Sequence, residues 1–160
     1  MNIRIKRIVK YFISNLYPFV KPLVCFFSST RYGVKVLVFC DNKLLLIKNT
    51  YTNGWSLPGG GVKKNELLKD AAIREVYEEV GIKINNLKEH GSFILSDKGS
   101  GKIAVFSCTV KSTQFKIDGL EVEEAKWINI GEVSRLHLLP VAAKCVETCS
   151  HLLLERYHLH

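Results

Sequence analysis

The chain has 160 residues, of which 47% are hydrophobic and 24% charged, which fits one domain with its own core and excludes a repeat or low-complexity protein. Seven of the 23 Lys and Arg residues, but none of the 15 Asp and Glu residues, precede Asp41, so almost all of the net charge of +8 belongs to the first forty residues. Because the rest of the chain is nearly neutral, the high pI gives little support to nucleic-acid binding, and we expect no DNA partner.

Residues 1–30 are predicted to form a basic segment that is separate from a domain at residues 31–160. Within it, the stretch Ile3–Tyr17 has the spacing of an amphipathic helix, which Pro18 ends. One face of this helix is apolar, and the opposite face carries the basic side chains. The basic residues are Arg4, Arg7 and Lys10, and the apolar ones are Ile5, Ile8, Val9, Phe12, Ile13 and Leu16.

The segment that follows, Phe19–Phe27, is apolar but broken by Lys21 and Pro22. No apolar run reaches the roughly 18 to 20 residues that cross a bilayer, and no small-residue cleavage site indicates a secretory signal. Two interpretations of the N-terminal helix remain open: it packs on the domain or on a second subunit, as in a homodimer, or it lies on an anionic membrane surface. The expected location is the cytoplasm, at the membrane periphery in the second case.

Two strands, Val34–Cys40 and Lys43–Lys48, are predicted on either side of an Asp41-Asn42 turn. The stretch Trp55–Gly61, W-S-L-P-G-G-G, is typical of a short strand that runs into a loop without side chains at its tip. Glycines let a backbone approach phosphate or metal closely, and the loop leads into a helix whose first N–H groups favour anions. A glycine-rich turn alone is nevertheless a weak signal.

A helix is predicted from about Glu66 to Val80. Residues three and four apart on a helix are neighbours, so three of its carboxylates share one face, and two alanines leave room beside them. An apolar stripe on the opposite side can face a core. The carboxylates are Glu75, Glu78 and Glu79, the alanines are Ala71 and Ala72, and the stripe is Ile73, Val76 and Val80.

Stability alone does not explain this carboxylate face, because like charges at helical spacing repel each other. Glu78 and Glu79 also lie in the last turn before Gly81, at the negative end of the helix dipole. A hard divalent cation held by oxygen ligands would compensate these charges. A solvated acidic face is the alternative, but the glycine loop in front of the helix favours a site for a metal–phosphate complex.

The second half of the chain is predicted to complete the sheet. Strands at Phe93–Ser96 and Lys102–Val110 are expected to form a hairpin across the loop Asp97–Gly101, and Glu124–Ile130 to form a further strand. Pro140 to about Tyr157 is predicted to be a C-terminal helix. One side of that helix carries Val141, Cys145, Cys149 and Leu152.

The five cysteines, at positions 25, 40, 108, 145 and 149, show no C-x-x-C spacing and are odd in number. Buried, reduced thiols are therefore expected. Cys145 and Cys149 are one helical turn apart and His137 and His151 lie nearby in sequence, which leaves a zinc site as an alternative. A second ligand pair with zinc-finger spacing is not evident in the sequence.

Residues 60–82 resemble the Nudix box, G-x5-E-x7-R-E-U-x-E-E-x-G-U, where U is a bulky aliphatic residue. The run from about Tyr32 to Ile130 is also similar to a Nudix domain. The resemblance implies an α+β fold, an α/β/α sandwich with a mixed β-sheet between helices. All nine fixed positions of the box are filled, by Gly60, Glu66, Arg74, Glu75, Val76, Glu78, Glu79, Gly81 and Ile82.

The resemblance also implies a ligand set for Mg²⁺, with Mn²⁺ as an alternative ion. Glu78 and Glu79 resemble the main metal ligands of the family, and the Gly59 carbonyl resembles a further ligand. Glu75 resembles the residue that binds a second metal or helps to activate water. Many family members add a carboxylate from a later loop, for which Glu121 is the expected residue, whereas Glu123 and Glu124 are expected at an exposed strand start.

Glu66 and Arg74 resemble the pair that braces the loop of the box against its helix. The chain departs from many relatives in having Lys63 in place of a Glu and Asn65 in place of a Gly. Asn tolerates a left-handed backbone and is a good N-cap, so Asn65 is expected to keep the turn. The residues expected to bind the substrate's phosphates are Gly60, Gly61 and Lys63.

The function that the resemblance implies is hydrolysis of a phosphoanhydride bond in a nucleoside diphosphate linked to a group X, a nucleoside triphosphate or nucleotide-sugar type of small molecule. Magnesium would neutralise the phosphate oxygens and activate water, and a carboxylate would accept the proton. An RNA 5′ end is an alternative substrate that requires a basic surface, for which the candidates are Lys63, Lys64, Lys98 and Lys102. A non-catalytic binding module is the third hypothesis, which the intact box disfavours.

Overall fold

The computed structural model describes residues 32–94, 101–117 and 121–157 of the chain. The predicted N-terminal helix, the apolar segment after it, Cys25 and most of the Asp97–Gly101 loop, with Lys98, lie outside these residues. The predictions made for residues 1–30 therefore stay predictions. Within the described ranges no helix is long and apolar enough to cross a membrane.

Five strands form one mixed sheet in the order β3-β4-β1-β2-β5. β1 and β4 run parallel, and the other neighbouring pairs are antiparallel. The mixed character of the sheet is as predicted. The strands are β1 (Tyr32–Cys40), β2 (Lys43–Asn49), β3 (Lys88–Ile94), β4 (Lys102–Thr109) and β5 (Val122–Asn129).

Helices cover both faces of this sheet. They are α1 (Leu68–Val80), a 3₁₀ helix (Ile130–Arg135), α2 (Pro140–Thr148) and α3 (Ser150–Tyr157). Alternate side chains of β1 point to opposite faces, so Val36 packs in the core under α1 and Leu37 packs in the core under α2 and α3. The predicted α/β/α sandwich is confirmed.

β1 and β2 separate soon after the turn that joins them, and residues 55–62 enter the gap; we call these residues the inserted segment. On one side, Ser56 exchanges backbone hydrogen bonds of 2.8 and 2.9 Å with Ile47 of β2. On the other side, the Val34 N–H of β1 donates to the Gly60 carbonyl at 2.9 Å. The glycine loop is therefore fixed inside the sheet, next to the C-terminal half of α1.

Three predicted element boundaries are wrong. The strand that pairs with β4 begins at Lys88 instead of Phe93, and Phe93 pairs with Ile103. The predicted end of this strand, at Ser96, lies outside the described residues. β5 begins at Val122, two residues before the predicted start. The C-terminal helix is two helices, because the backbone leaves helical geometry at Cys149, with φ −105° and ψ 21°.

The start of α1 also differs from the prediction. The helix begins at Leu68, because the Glu66 side chain is engaged in hydrogen bonds with the Lys63 N–H and with Arg74. Asn65 does adopt the expected left-handed backbone, with φ 63°, but it is not the N-cap. Leu67 occupies that position without a side-chain cap.

The carboxylate face of α1 is closer to the core than the sequence suggested. Ala71 and Ala72 are fully buried in the core, so they do not leave room beside the carboxylates. Their small side chains let the helix approach the sheet, and Glu79 is buried together with Val76. Ile73, predicted in the middle of the apolar stripe, is only partly buried.

Candidate active site

Glu79 is a buried carboxylate in the last turn of α1, with 7% of its surface exposed. Its Oε2 accepts a hydrogen bond of 2.7 Å from the Gly59 N–H of the inserted segment. Burial raises the pKa of Glu79 to about 7, with smaller contributions from Glu75 and Glu121, while Lys35 and the Gly59 N–H act in the opposite direction. The glycine loop thus supplies the polar contact that a buried carboxylate requires.

Lys35 of β1 lies on the other side of the inserted segment. Its ammonium group donates hydrogen bonds to the Leu57 carbonyl at 2.8 Å and to the Gly59 carbonyl at 2.5 Å. Burial lowers the pKa of Lys35, and the charge of Glu79 partly opposes this change. Lys35 was not predicted from the sequence, although it is the single charged residue within the apolar run Val34–Cys40, which is a signal of a buried charge.

Arg74 connects the start of the box to its carboxylates. Its Nε and Nη2 donate to the two carboxylate oxygens of Glu66 at 2.7 and 2.9 Å. Its Nη1 donates to Glu75 at 2.7 Å and to Glu78 at 3.0 Å, and its Nη2 also reaches the Gly61 carbonyl at 2.9 Å. One guanidinium therefore holds the loop and orients two of the three carboxylates.

Glu66 accepts hydrogen bonds from Arg74 with both of its carboxylate oxygens. The hydrogen bonds from Arg74 lower the pKa of Glu66 to about 2, and the Lys63 backbone N–H contributes to the shift. Glu66 therefore stays ionised and keeps the pair intact at all but strongly acidic pH. The two residues lie together and join the loop of the box to α1.

Glu75 and Glu78 differ in their surroundings. The Glu75 carboxylate lies so close to Gly60 that a Cβ added there would be 2.8 Å from its Oε2. Glu78 is more open, with 51% of its side chain exposed, and its Oε1 is 3.7 Å from the Lys63 ammonium. Gly60 is thus required for the position of Glu75, whereas Lys63 approaches Glu78.

Gly60, Glu75, Glu78 and Glu79 border a cavity of about 800 Å³. Its lining includes the glycines of the inserted segment, the three α1 carboxylates, Lys35 and Glu121. Much of the remaining lining is apolar or aromatic and comes from residues that were not predicted from the sequence. They include Tyr32, Tyr51, Ile103, Leu139 and Val141.

The remaining predicted residues divide between the cavity and the surface around it. Gly60, Gly61 and Lys102 line the cavity, but Lys63 is not among its lining residues. Glu124 lies outside it and pairs with Lys126 and Lys48, at 2.5 and 3.4 Å. The later carboxylate that faces the cavity is therefore Glu121, at the entry to β5.

The donor atoms suit a hard divalent cation, since they are all oxygens: the α1 carboxylates, Glu121 and the Gly59 carbonyl. As the side chains stand, no three His, Cys, Asp or Glu groups of the described residues converge on one point. Glu75 and Glu78 each give one oxygen to Arg74, and Glu79 gives one to the Gly59 N–H. A cation would therefore share these carboxylates with the contacts that already orient them.

The cysteines outside the N-terminal segment are buried free thiols, as predicted for Cys40, Cys108, Cys145 and Cys149. Burial raises the pKa of Cys145 to about 12 and also raises that of Cys149. Zinc requires thiolates, so these two residues are poorly suited to the alternative zinc site.

Comparison with known proteins shows what the chain is similar to. The NUDIX domain family matches residues 29–149. An uncharacterised Nudix hydrolase of Pseudomonas aeruginosa is 36% identical over 104 residues, which are 60% of this chain and 61% of that protein. The mRNA-decapping enzyme subunit 2 of Saccharomyces cerevisiae is 27% identical over 68% of this chain, but only 12% of its own length is covered. This chain thus spans only part of these relatives.

Solved structures agree on the fold. The NUDIX domain of Shewanella oneidensis NrtR, complexed with ADP ribose, superposes with a TM-score of 0.68 over 80% of this chain and 91% of that one, at 17% identity. A MutT NUDIX hydrolase of Burkholderia pseudomallei gives a TM-score of 0.63 at 23% identity, over 74% of this chain and 96% of that one. At these identities the likeness is one of fold.

Proposed function

The chain belongs to the Nudix hydrolase family, and we propose that it is a Mg²⁺-dependent pyrophosphohydrolase of small molecules. Members of this family act on pyrophosphate bonds with divalent cations. Its substrate is a nucleoside diphosphate linked to a group X, such as a nucleoside triphosphate or a nucleotide sugar. The observation that carries this proposal is the cavity in which three α1 carboxylates meet the inserted glycine loop. Mn²⁺ is the alternative ion.

Each residue around the carboxylates has a proposed role. Glu78, Glu79 and the Gly59 carbonyl would hold the cation, which when bound neutralises phosphate oxygens and lowers the pKa of a water molecule. Glu75, held by Arg74 and by the close approach of Gly60, either accepts the proton of the attacking water or holds a second ion. Glu121 would add a carboxylate from the start of β5.

The apolar and aromatic part of the cavity lining is proposed to bind the part of the substrate that does not react. Tyr32 and Tyr51 offer aromatic surfaces there, and Leu139 and Val141 add aliphatic ones. Ligand pockets typically combine such apolar walls with a few placed polar groups. The backbone of Gly60 and Gly61, which carries no side chains, also lines the cavity, and we propose that the phosphate chain lies against it.

A substrate screen tests this function. Nucleoside triphosphates, ADP-ribose and nucleotide sugars would be incubated with the protein and Mg²⁺, and the released products separated and identified. 8-oxo-dGTP belongs in the panel because a relative in Bacillus subtilis, 29% identical over 63% of this chain and 68% of its own length, is named a putative 8-oxo-dGTP diphosphatase. We expect Mg²⁺-dependent cleavage of at least one of these small molecules.

Capped and triphosphorylated RNA complete the panel, because the yeast relative is a decapping enzyme subunit. Hydrolysis of RNA ends alone would replace the small-molecule proposal with the RNA alternative. Binding without hydrolysis across the whole panel, at saturating Mg²⁺, would instead indicate a non-catalytic module.

A further inference from the structure

Gly59 is held at both ends of its backbone by charged side chains. Its N–H donates to Glu79 at 2.7 Å, and its carbonyl accepts from Lys35 at 2.5 Å. Only glycine fits at this position, because it adopts φ 130° and a Cβ added to it would be 2.2 Å from the Val34 carbonyl oxygen. A carboxylate and an ammonium group are therefore fixed on the two sides of one residue.

Lys35 has an unusual environment for a lysine. Its strand neighbours on the same face, Leu37 and Phe39, are fully buried or nearly so. Its hydrogen-bond acceptors are two neutral carbonyls, and within the described ranges it has no carboxylate at ion-pair distance. A desolvated charge of this kind is costly unless opposite charge lies nearby. Among the carboxylates, Glu79 opposes the effect of burial on Lys35 most strongly, and it contacts the same residue, Gly59, that Lys35 contacts.

We propose that Lys35 is the resident counter-cation of the metal site: it neutralises Glu79 and its neighbouring carboxylates when no divalent cation is bound. The inference deepens the proposed function, because it assumes that these carboxylates bind the activating cation. Lys35 is then a positioning residue, which acts through the Gly59 carbonyl that it holds.

Two consequences follow from the charge of Lys35. The carboxylate cluster stays folded without metal, because its repulsion is compensated from inside the protein. The fixed ammonium group also repels a divalent cation that binds beside it, so Lys35 reduces the affinity of the site for Mg²⁺. If Lys35 were only a hydrogen-bonded clamp on the inserted segment, its loss would weaken the metal-free and metal-bound proteins equally.

Three substitutions separate charge from hydrogen bonding. Lys35→Gln keeps N–H donors but removes the charge, Lys35→Met removes both, and Lys35→Arg keeps the charge. Lys144→Gln removes a positive charge from an exposed ion pair on α2 and serves as the matched control. The full-length protein and these variants would be unfolded thermally in EDTA and across a Mg²⁺ titration.

We expect Lys35→Gln and Lys35→Met to melt at lower temperature in EDTA. Mg²⁺ should raise their melting temperatures more than that of the unsubstituted protein, and the Mg²⁺ concentration giving half of the rise should fall by about threefold or more. Lys35→Arg and Lys144→Gln should respond to Mg²⁺ as the unsubstituted protein does. The same rise in every variant would overturn the proposal, and a smaller rise in Lys35→Gln would show that Lys35 assists cation binding.

A second measurement, of stability in a Glu79→Gln background, tests the proposal even if the single Lys35 variants fold poorly. In a protein that already carries Glu79→Gln, the further change Lys35→Gln should cost much less stability in EDTA than it does alone, because the main opposing charge is gone. Equal costs in the two backgrounds would overturn the proposal. A protein that neither hydrolyses any phosphoanhydride nor gains stability with Mg²⁺, in any variant, would refute the proposed function together with this inference.

Discussion

Arg74 holds Glu66 with two parallel hydrogen bonds, from Nε at 2.7 Å and from Nη2 at 2.9 Å. This bidentate pair joins α1 to the loop before it, since Glu66 also accepts the Lys63 N–H at 2.7 Å. The remaining guanidinium nitrogen, Nη1, orients Glu75 and Glu78. One contact therefore couples the stability of the loop to the geometry of the carboxylates.

Arg74→Ala should lower both stability and activity. The substitution leaves Glu66 without its partner in a site where only 15% of its side chain is exposed, and it removes the cation shared by Glu75 and Glu78. We expect a loss of roughly 2 to 3 kcal/mol in the free energy of unfolding, measured with urea. Lys144→Ala, which removes an exposed cation, is the control and should change little. Unchanged stability in Arg74→Ala would contradict the bracing role.

The acid stability of the protein should depend on Glu66. Its pKa in the folded protein is about 2, below its ordinary value of 4.5, so its contribution is complete above pH 4.5 and declines as the pH falls toward 2. The difference in unfolding free energy between the unsubstituted protein and Glu66→Gln should therefore shrink between about pH 5 and pH 3. Urea unfolding across this range measures it. A difference that stays constant with pH would show that the Glu66 charge does not contribute.

The sequence predicts α1 and its three carboxylates well, because both depend on local spacing. The orientation of Glu79 toward the interior could not be predicted, since it depends on how closely Ala71 and Ala72 allow α1 to approach the sheet. The insertion of residues 55–62 between β1 and β2 is also a long-range feature that leaves no periodic pattern. The sequence likewise shows that Lys35 is a charged residue in an apolar strand, but not that it bonds to Leu57 and Gly59, because those contacts depend on this insertion.

Gly60→Ala should reduce activity through Glu75. A Cβ at this position would meet the Glu75 carboxylate at 2.8 Å, so the side chain has to move away from the place where it faces the cavity. We expect kcat to fall by about tenfold or more with a smaller effect on KM.

Glu75→Gln should lower activity with little loss of stability, which a comparison of melting temperatures checks. A strong loss of stability in Glu75→Gln would count against a catalytic role.

Glu78→Gln and Glu79→Gln should each lower kcat by about a hundredfold or more, because both carboxylates are proposed to hold the cation. They should differ in stability. Glu78 is half exposed, whereas Glu79 is buried and bonded to the Gly59 N–H, so Glu79→Gln changes the interior. Initial rates with Mg²⁺, Mn²⁺ or EDTA measure the metal dependence, and Glu123→Gln provides a carboxylate control outside the cavity lining. Full activity in EDTA would contradict the metal-dependent mechanism.

Residues 1–30 are expected to act through their apolar face, whichever of the two interpretations is correct. If the predicted helix packs on the domain or on a second subunit, removal of residues 1–30 should lower the melting temperature or dissociate a dimer, as measured by light scattering. The full-length protein should then stay in the supernatant when it is sedimented with anionic vesicles at low salt.

Membrane binding predicts the opposite, because Arg4, Arg7 and Lys10 would attract acidic headgroups. Co-sedimentation that salt weakens and that truncation abolishes would exclude packing as the main role, and substitution of the three basic residues by Gln would show whether their charge is responsible.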